Sequence, residues 1–175
     1  MWGFPGKQLV FMGCEFGQRT EFNESASLEW WVCDLWGHQG LQHLFKDMNS
    51  LYRELPALYQ LDNSPAGFQW LVSDDAGGNV LAWLRRDESG QVIACITNFS
   101  SEPHNYYGLG LPAPGVWREI LNTDAECYSG TGKFGNSGVV RAREIPDGAG
   151  WPAAATICVP PLGTLWLKHE PVGLE

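Results

Sequence analysis

Residues 79–98 read Asn79-Val80-Leu81-Ala82-Trp83-Leu84-Arg85-Arg86-Asp87-Glu88-Ser89-Gly90-Gln91-Val92-Ile93-Ala94-Cys95-Ile96-Thr97-Asn98. Two apolar runs flank a short polar segment that ends in glycine, and this is the signature of a β-hairpin. Working outward, the spacing predicts a strand over 68–72 before the hairpin. Further strands are expected over 105–109, 116–121, 139–144, 156–159 and 164–168. Turn signals separate them: Pro112-Ala113-Pro114-Gly115, the glycine-rich stretch 130–138, and Asp147-Gly148-Ala149-Gly150. Many short strands at regular spacing predict a mainly β protein, an antiparallel β-sandwich.

Upstream the period changes. Leu41, Leu44, Phe45, Met48, Leu51, Tyr52 and Leu55 recur at spacings of three and four, so the stretch 40–55 is expected to be one amphipathic helix that Pro56 stops. Before it, Leu9-Val10-Phe11-Met12 is a short apolar run bounded by Gly13. Such a run reads as a strand buried on both faces, as in a parallel sheet. Strand then helix is the repeating unit of a (β/α)8 barrel, whose active sites lie in the loops after the strands. Residues 7–55 therefore read as the last βα unit of a truncated barrel, since a complete one needs roughly 250 residues. The expected division is 1–61 for the barrel remnant and 62–175 for the all-β domain, with a linker near Asp62-Asn63-Ser64-Pro65. A barrel remnant without its partners is expected either to pack onto the β-domain or to expose an apolar patch, favouring self-association or disorder in the first 35 residues.

Composition narrows the function. The formal net charge is −9 and no Lys/Arg run exists, which speaks against nucleic acid and anionic membranes as partners. No apolar stretch reaches the roughly 18 residues of a membrane span. Cys14, Cys33, Cys95, Cys127 and Cys158 are odd in number without CxxC spacing, which fits buried thiols in a reducing cytoplasm better than a disulfide frame or a zinc site. Nine Trp, eight Phe and five Tyr are a heavy aromatic load, suited to core packing and, for a minority, to stacking on sugar rings.

Several motifs then agree in order. Leu9-Val10-Phe11-Met12-Gly13-Cys14-Glu15-Phe16-Gly17-Gln18 resembles the last-strand motif of bacterial glycogen branching enzymes in glycoside hydrolase family 13. Ser27-Leu28-Glu29-Trp30, Leu51-Tyr52-Arg53, Pro56-Ala57-Leu58, Gly67-Phe68-Gln69-Trp70 and Thr97-Asn98-Phe99-Ser100 continue the likeness. So do the stretch 117–126 around Asn122-Thr123-Asp124, then Tyr128-Ser129-Gly130-Thr131-Gly132 and Pro160-Pro161-Leu162-Gly163-Thr164. Cys14 departs from the Gly or Asn common at that family position. The resemblance implies an all-β C-terminal domain of amylase type behind the end of the catalytic barrel. It also implies a parent enzyme that cuts α-1,4-glucan and transfers the segment to a 6-hydroxyl. That retaining chemistry uses two carboxylates about 5–5.5 Å apart. In this family they lie on upstream barrel segments whose motifs are absent here, so the chain is expected to carry no catalytic residue, to need no cofactor, and to be inactive alone. Implied partners are the α-glucan and the upstream barrel. A carbohydrate-binding module and a trehalohydrolase-type relative are the alternative readings.

The candidate substrate-binding residues are Glu15, Gln18, Arg19 and Trp30. Glu15 has two readings: a carboxylate that bonds sugar hydroxyls, or one that holds its loop through backbone N–H groups or Arg19. Of Trp30 and Trp31, alternation along a strand would let only one stack a glucosyl ring, leaving the other to packing. His38, His43, His104 and His169 lack companions at metal-ligand spacing. Gly130 to Gly135 lacks the phosphate-loop pattern and reads as a flexible inter-strand loop, and Asp74-Asp75 reads as a turn rather than a calcium loop.

Overall fold

Along the strand Val80–Arg86, the side chains of Val80, Ala82 and Leu84 turn to one face and those of Trp83 and Arg85 to the other, yet all five are buried. A strand buried on both faces must lie inside a layered structure. The computed structural model describes residues 1–146 and 150–171, and it shows those layers. Eight antiparallel strands follow one another: β1 Phe68–Asp75, β2 Val80–Arg86, β3 Val92–Asn98, β4 His104–Leu111, β5 Gly115–Asn122, β6 Val139–Glu144, β7 Ala153–Val159 and β8 Thr164–Glu170. Each strand predicted for the β-domain is present. The Asp87–Gly90 hairpin joins β2 to β3 in unbroken register from Val80↔Asn98 to Arg86↔Val92. Of the turn expected over 147–150, residues 147–149 lie outside the described ones.

The strand order is β1-β2-β3-β8-β5-β6-β7-β4. β6 carries the chain around the corner: Val139 to Ala142 pair with β5, whereas Arg143 and Glu144 pair with β7. The sheet thereby folds over itself. Between its halves lies a core of Val80, Leu84, Ile96, Leu109, Trp117 and Leu165, among others. The free edges meet where Asp75 of β1 accepts the Tyr107 hydroxyl of β4 at 2.8 Å, and His104 Nε2 lies 2.8 Å from the Gly78 carbonyl.

A second core covers the outer face of β2, β3 and β8. Trp83, Ile93, Cys95 and Trp166 project there, with Leu121 of β5 beside them. The helix α1, Trp36–Glu54, lays Leu44, Phe45, Met48, Leu51 and Tyr52 onto this face. It starts four residues before the expected 40. It ends at Glu54, with Leu55 already extended (φ −115°, ψ 93°), because the residue before a proline is pushed out of the helical region. Trp2 is buried beneath the helix, its ring edge-on to Phe45 at 5.1 Å and its indole N–H donated to Asn49 at 2.9 Å. Gly3 follows where nothing larger fits, since a Cβ would lie 2.9 Å from Cys95 Sγ and 3.1 Å from Trp166 Nε1.

Two expectations fail here. Of the five cysteines expected as buried thiols, only Cys95 is buried, and Cys14 and Cys127 are exposed. Leu9 to Met12 form no strand: Leu9 and Phe11 are exposed, and Met12 adopts a left-handed φ of 33° that ends the extended run. A strand needs neighbours for its N–H and C=O groups, and no described strand flanks this one. Hydrophobicity alone does not make the ladder, so the described residues include a helix, α1, but not the expected βα unit.

The stretch 61–67 is no loose linker. Arg85, fully buried on β2, pairs with Asp62 and donates to the Gly67 carbonyl at 3.3 Å and the Gly3 carbonyl at 3.5 Å. The Trp83 indole N–H reaches the same Gly3 carbonyl at 2.6 Å. Removing one partner of a buried ion pair strands the other charge, at a cost of about 3–5 kcal/mol. Asp62→Ala is therefore expected to lower unfolding free energy by about that amount in urea titration, and adding Arg85→Met to it should restore much of the loss. A second expectation concerns acid. The Gly78 N–H, the Tyr107 hydroxyl and the charge of His104 hold the Asp75 carboxyl below its ordinary 3.8. A carboxyl depressed in the folded state contributes stability above its unfolded pKa, lost as pH falls through its folded value. Melting temperatures measured against pH should show Asp75→Asn with a shallower decline than wild type below about pH 4.

Candidate functional site

Gly13 and Gly17 bracket a single 3-10 turn, Cys14–Phe16, and both are left-handed (φ 86° and 69°), so the chain reverses within six residues. The Gln18 N–H closes the turn on the Gly13 carbonyl at 3.0 Å. A Cβ on Gly13 would lie 2.9 Å from both Gln18 Cβ and Phe16 Cζ, so this position excludes larger residues. Phe16 is the anchor. Its ring is wholly buried, 5.3 Å from that of Trp30, and its carbonyl lies 2.7 Å from His38 Nδ1 in the first turn of α1. The turn is thus fixed to the helix that packs on the sheet.

The polar excursion that follows is clamped at its base. Gln18 Oε1 accepts the Glu29 N–H at 3.2 Å, and Glu29 Oε2 accepts the N–H groups of Arg19 at 3.0 Å and Thr20 at 3.2 Å. A carboxylate accepting two backbone donors holds a loop base well, because such bonds are charge-assisted. The Arg19 guanidinium then lies over the Trp31 ring, 5.9 Å from its centroid, within cation–π range.

The structure brings Gln18 and Arg19 together through Glu29, and it places Trp30 beside the same turn through Phe16. Glu15 stays apart. It is half-exposed and forms no ion pair with Arg19, and among the described residues its carboxylate accepts no hydrogen bond. Glu29 does the loop-holding that one reading gave to Glu15. Its only signal in the sequence is its place in the motif Ser27-Leu28-Glu29-Trp30, because a contact across ten residues of irregular chain leaves no periodicity to read. Trp30 and Trp31 also depart from expectation. They sit on a 3-10 helix, Trp30–Asp34, rather than a strand, so alternation does not apply and both face solvent at 58% and 56% exposure. Phe11 packs edge-on to Phe22 at 4.8 Å, and Leu9, Leu35 and Trp36 add further exposed apolar area.

Chemically, this surface offers flat aromatic faces, one carboxylate with no internal partner and a rigid amide-carboxylate clamp. No group of three or more His, Cys, Asp or Glu among the described residues could hold a metal ion. The stretch 130–135, expected to be a flexible loop, is instead tied down: Asp124 accepts from Thr131 N–H at 2.9 Å and Phe134 N–H at 3.2 Å, and Asn122 Nδ2 donates to the Phe134 carbonyl at 2.7 Å.

Comparison with known proteins agrees with this architecture. The family described as "Alpha amylase, C-terminal all-beta domain" matches residues 70–170, a span that covers all of β2 to β8 and most of β1. The chain is similar to the 1,4-alpha-glucan branching enzyme GlgB of Cutibacterium acnes, 59% identical over 98% of this chain and 27% of that protein. The proteins of the same name from Frankia casuarinae and Leifsonia xyli are 54% and 52% identical, each over 96% of this chain and 21% and 23% of their own length. The chain thus spans about a quarter of the length of the curated relatives it matches. Among solved structures, the pullulanase SAP of Group B Streptococcus overlaps 82% of this chain and 18% of its own at 14% identity, with a TM-score of 0.47. With more than half of its length matched to that all-β domain, this chain belongs to the alpha-amylase C-terminal domain family.

Proposed function

We propose that this chain is the C-terminal part of a 1,4-alpha-glucan branching enzyme of glycogen biosynthesis. The observation that carries the reading is 59% identity, sustained over 98% of the chain, to a protein of that name. The parent cuts an α-1,4-glucan and transfers the released segment to a 6-hydroxyl in the cytoplasm. Its two reacting carboxylates, about 5–5.5 Å apart in retaining enzymes, belong to a preceding catalytic barrel, to which residues 1–61 contribute the last segment. This chain alone supplies binding and support, and no catalysis.

In that reading the exposed apolar residues Leu9, Phe11 and Phe22 pack against the barrel, since contiguous apolar patches on a free surface are uncommon. Glu15, whose carboxylate lacks an internal partner, accepts sugar hydroxyls at the barrel mouth. Trp30 stacks a glucosyl ring. Gln18 and Arg19 are positioning residues: the first fixes Glu29, and the second lies on the face of Trp31.

Iodine-stained amylose tests the assignment. A longer protein that includes the preceding barrel is expected to shift the stain from blue to red, and the 175-residue chain to leave it blue. Branching by the chain alone would overturn the placement of the catalytic groups, and branching by neither would overturn the enzymatic reading. In the longer protein, Trp30→Ala is expected to raise KM for amylose about fivefold or more through lost stacking, with kcat changed less; an unchanged KM removes Trp30 from the substrate path.

A further inference from the structure

A broad depression on the described surface lies over the loop between β5 and β6. It encloses about 560 Å³ and is lined by Glu119, Asn122, Glu126, Lys133 and Phe134, with glycines in its floor. The glycines keep it open. A Cβ on Gly132 would lie 2.5 Å from Glu126 Cγ, and one on Gly135 would lie 2.6 Å from Asn122 Nδ2. Its walls are preorganised. Glu119 Oε2 accepts both the Asn136 backbone N–H at 2.9 Å and its side-chain amide at 2.7 Å, while Asn136 Nδ2 donates to the Cys158 carbonyl of β7 at 3.1 Å and Asn136 Oδ1 accepts the Cys158 N–H at 2.8 Å. Two charged groups on this frame stay uncommitted. Glu126 and Lys133 are exposed and belong to no ion pair among the described residues.

We infer that this groove is a second glucan-binding site, on the β-domain itself. The inference rests on the branching-enzyme reading for the identity of the polymer, but its chemistry is local. Planar carboxylate and amide groups accept and donate to vicinal hydroxyls, Lys133 donates to hydroxyl or ring oxygens, and the half-buried Phe134 ring gives a sugar face an apolar surface. Two carboxylates against one ammonium repel a phosphate or other anion, which selects a neutral, hydroxyl-rich ligand. The site also adjoins the N-terminal surface. Glu126 opens a 3-10 turn, Glu126–Tyr128, whose Tyr128 hydroxyl donates to Asp47 of α1 at 2.8 Å, and the next residue, Ser129, donates to the Trp36 carbonyl at 2.6 Å. A long glucan chain thus has two footholds joined by a packed seam.

Affinity electrophoresis of the 175-residue chain in gels cast with amylopectin tests this, in the Trp30→Ala, Trp31→Ala background so that retention by those rings is removed. The background chain is expected to be retarded by amylopectin and not by dextran. Lys133→Ala should weaken the apparent affinity about tenfold, the worth of one hydrogen bond to a charged group, and Phe134→Ala should do at least as much. Should Phe134→Ala alter the melting temperature, the exposed Lys133 truncation carries the comparison. Equal retardation of variant and background, or no retardation of the background, overturns the groove. Failure of a longer protein to branch amylose would instead overturn the enzymatic reading, so the two stand or fall separately.

Discussion

The buried charge of Arg85 is the constraint on which the layers depend. Its guanidinium lies inside the second core, where an unpaired cation would cost several kcal/mol, so its partners are obligatory. Those partners come from different parts of the chain: Asp62 from the connection after α1, and the carbonyls of Gly67 and Gly3. One strand residue therefore fixes where the amino-terminal segment and the helix connection meet the sheet. Trp83, two residues earlier on the same face, holds the Gly3 carbonyl as well.

With that layer fixed, the central strands acquire two dry faces. Antiparallel sheets commonly leave one face to water and then read as alternating patterns. β2 and β3 instead read as near-continuous apolar runs, because the folded-over sheet covers one face and α1 with Trp2 covers the other. Burial of Trp83, Ile93 and Trp166 on the outer face stabilises by about 1.5–3 kcal/mol for each large side chain. That is enough to hold α1, a helix whose own propensity would leave it marginal in isolation.

The two surfaces proposed to bind glucan rest on the same frame. The turn that presents Glu15 and Gln18, with Trp30 packed beside it, is anchored through Phe16 and His38 to α1, and α1 is anchored to the sheet. The groove over the β5–β6 loop is held by Asp124, Asn136 and Glu119, and it touches α1 through Tyr128 and Ser129. Both surfaces are therefore positioned by one helix. A displacement of α1 would move the two together.

The sequence by itself determined what depends on local pattern. Apolar runs and turn residues located all eight strands, spacings of three and four located α1, and ordered motifs identified the family. Tertiary structure decided what depends on partners. Leu9 to Met12 have the composition of a strand and do not form one, since a ladder needs neighbours that composition cannot supply. Trp30 and Trp31 both reach solvent because a 3-10 turn, not a strand, carries them. Glu29 rather than Glu15 holds the loop, and Arg85 is buried and paired, because each meets groups distant in sequence. Periodicity records which face of an element is dry, but the pairing of a particular charge with a particular carbonyl is settled only when the layers close.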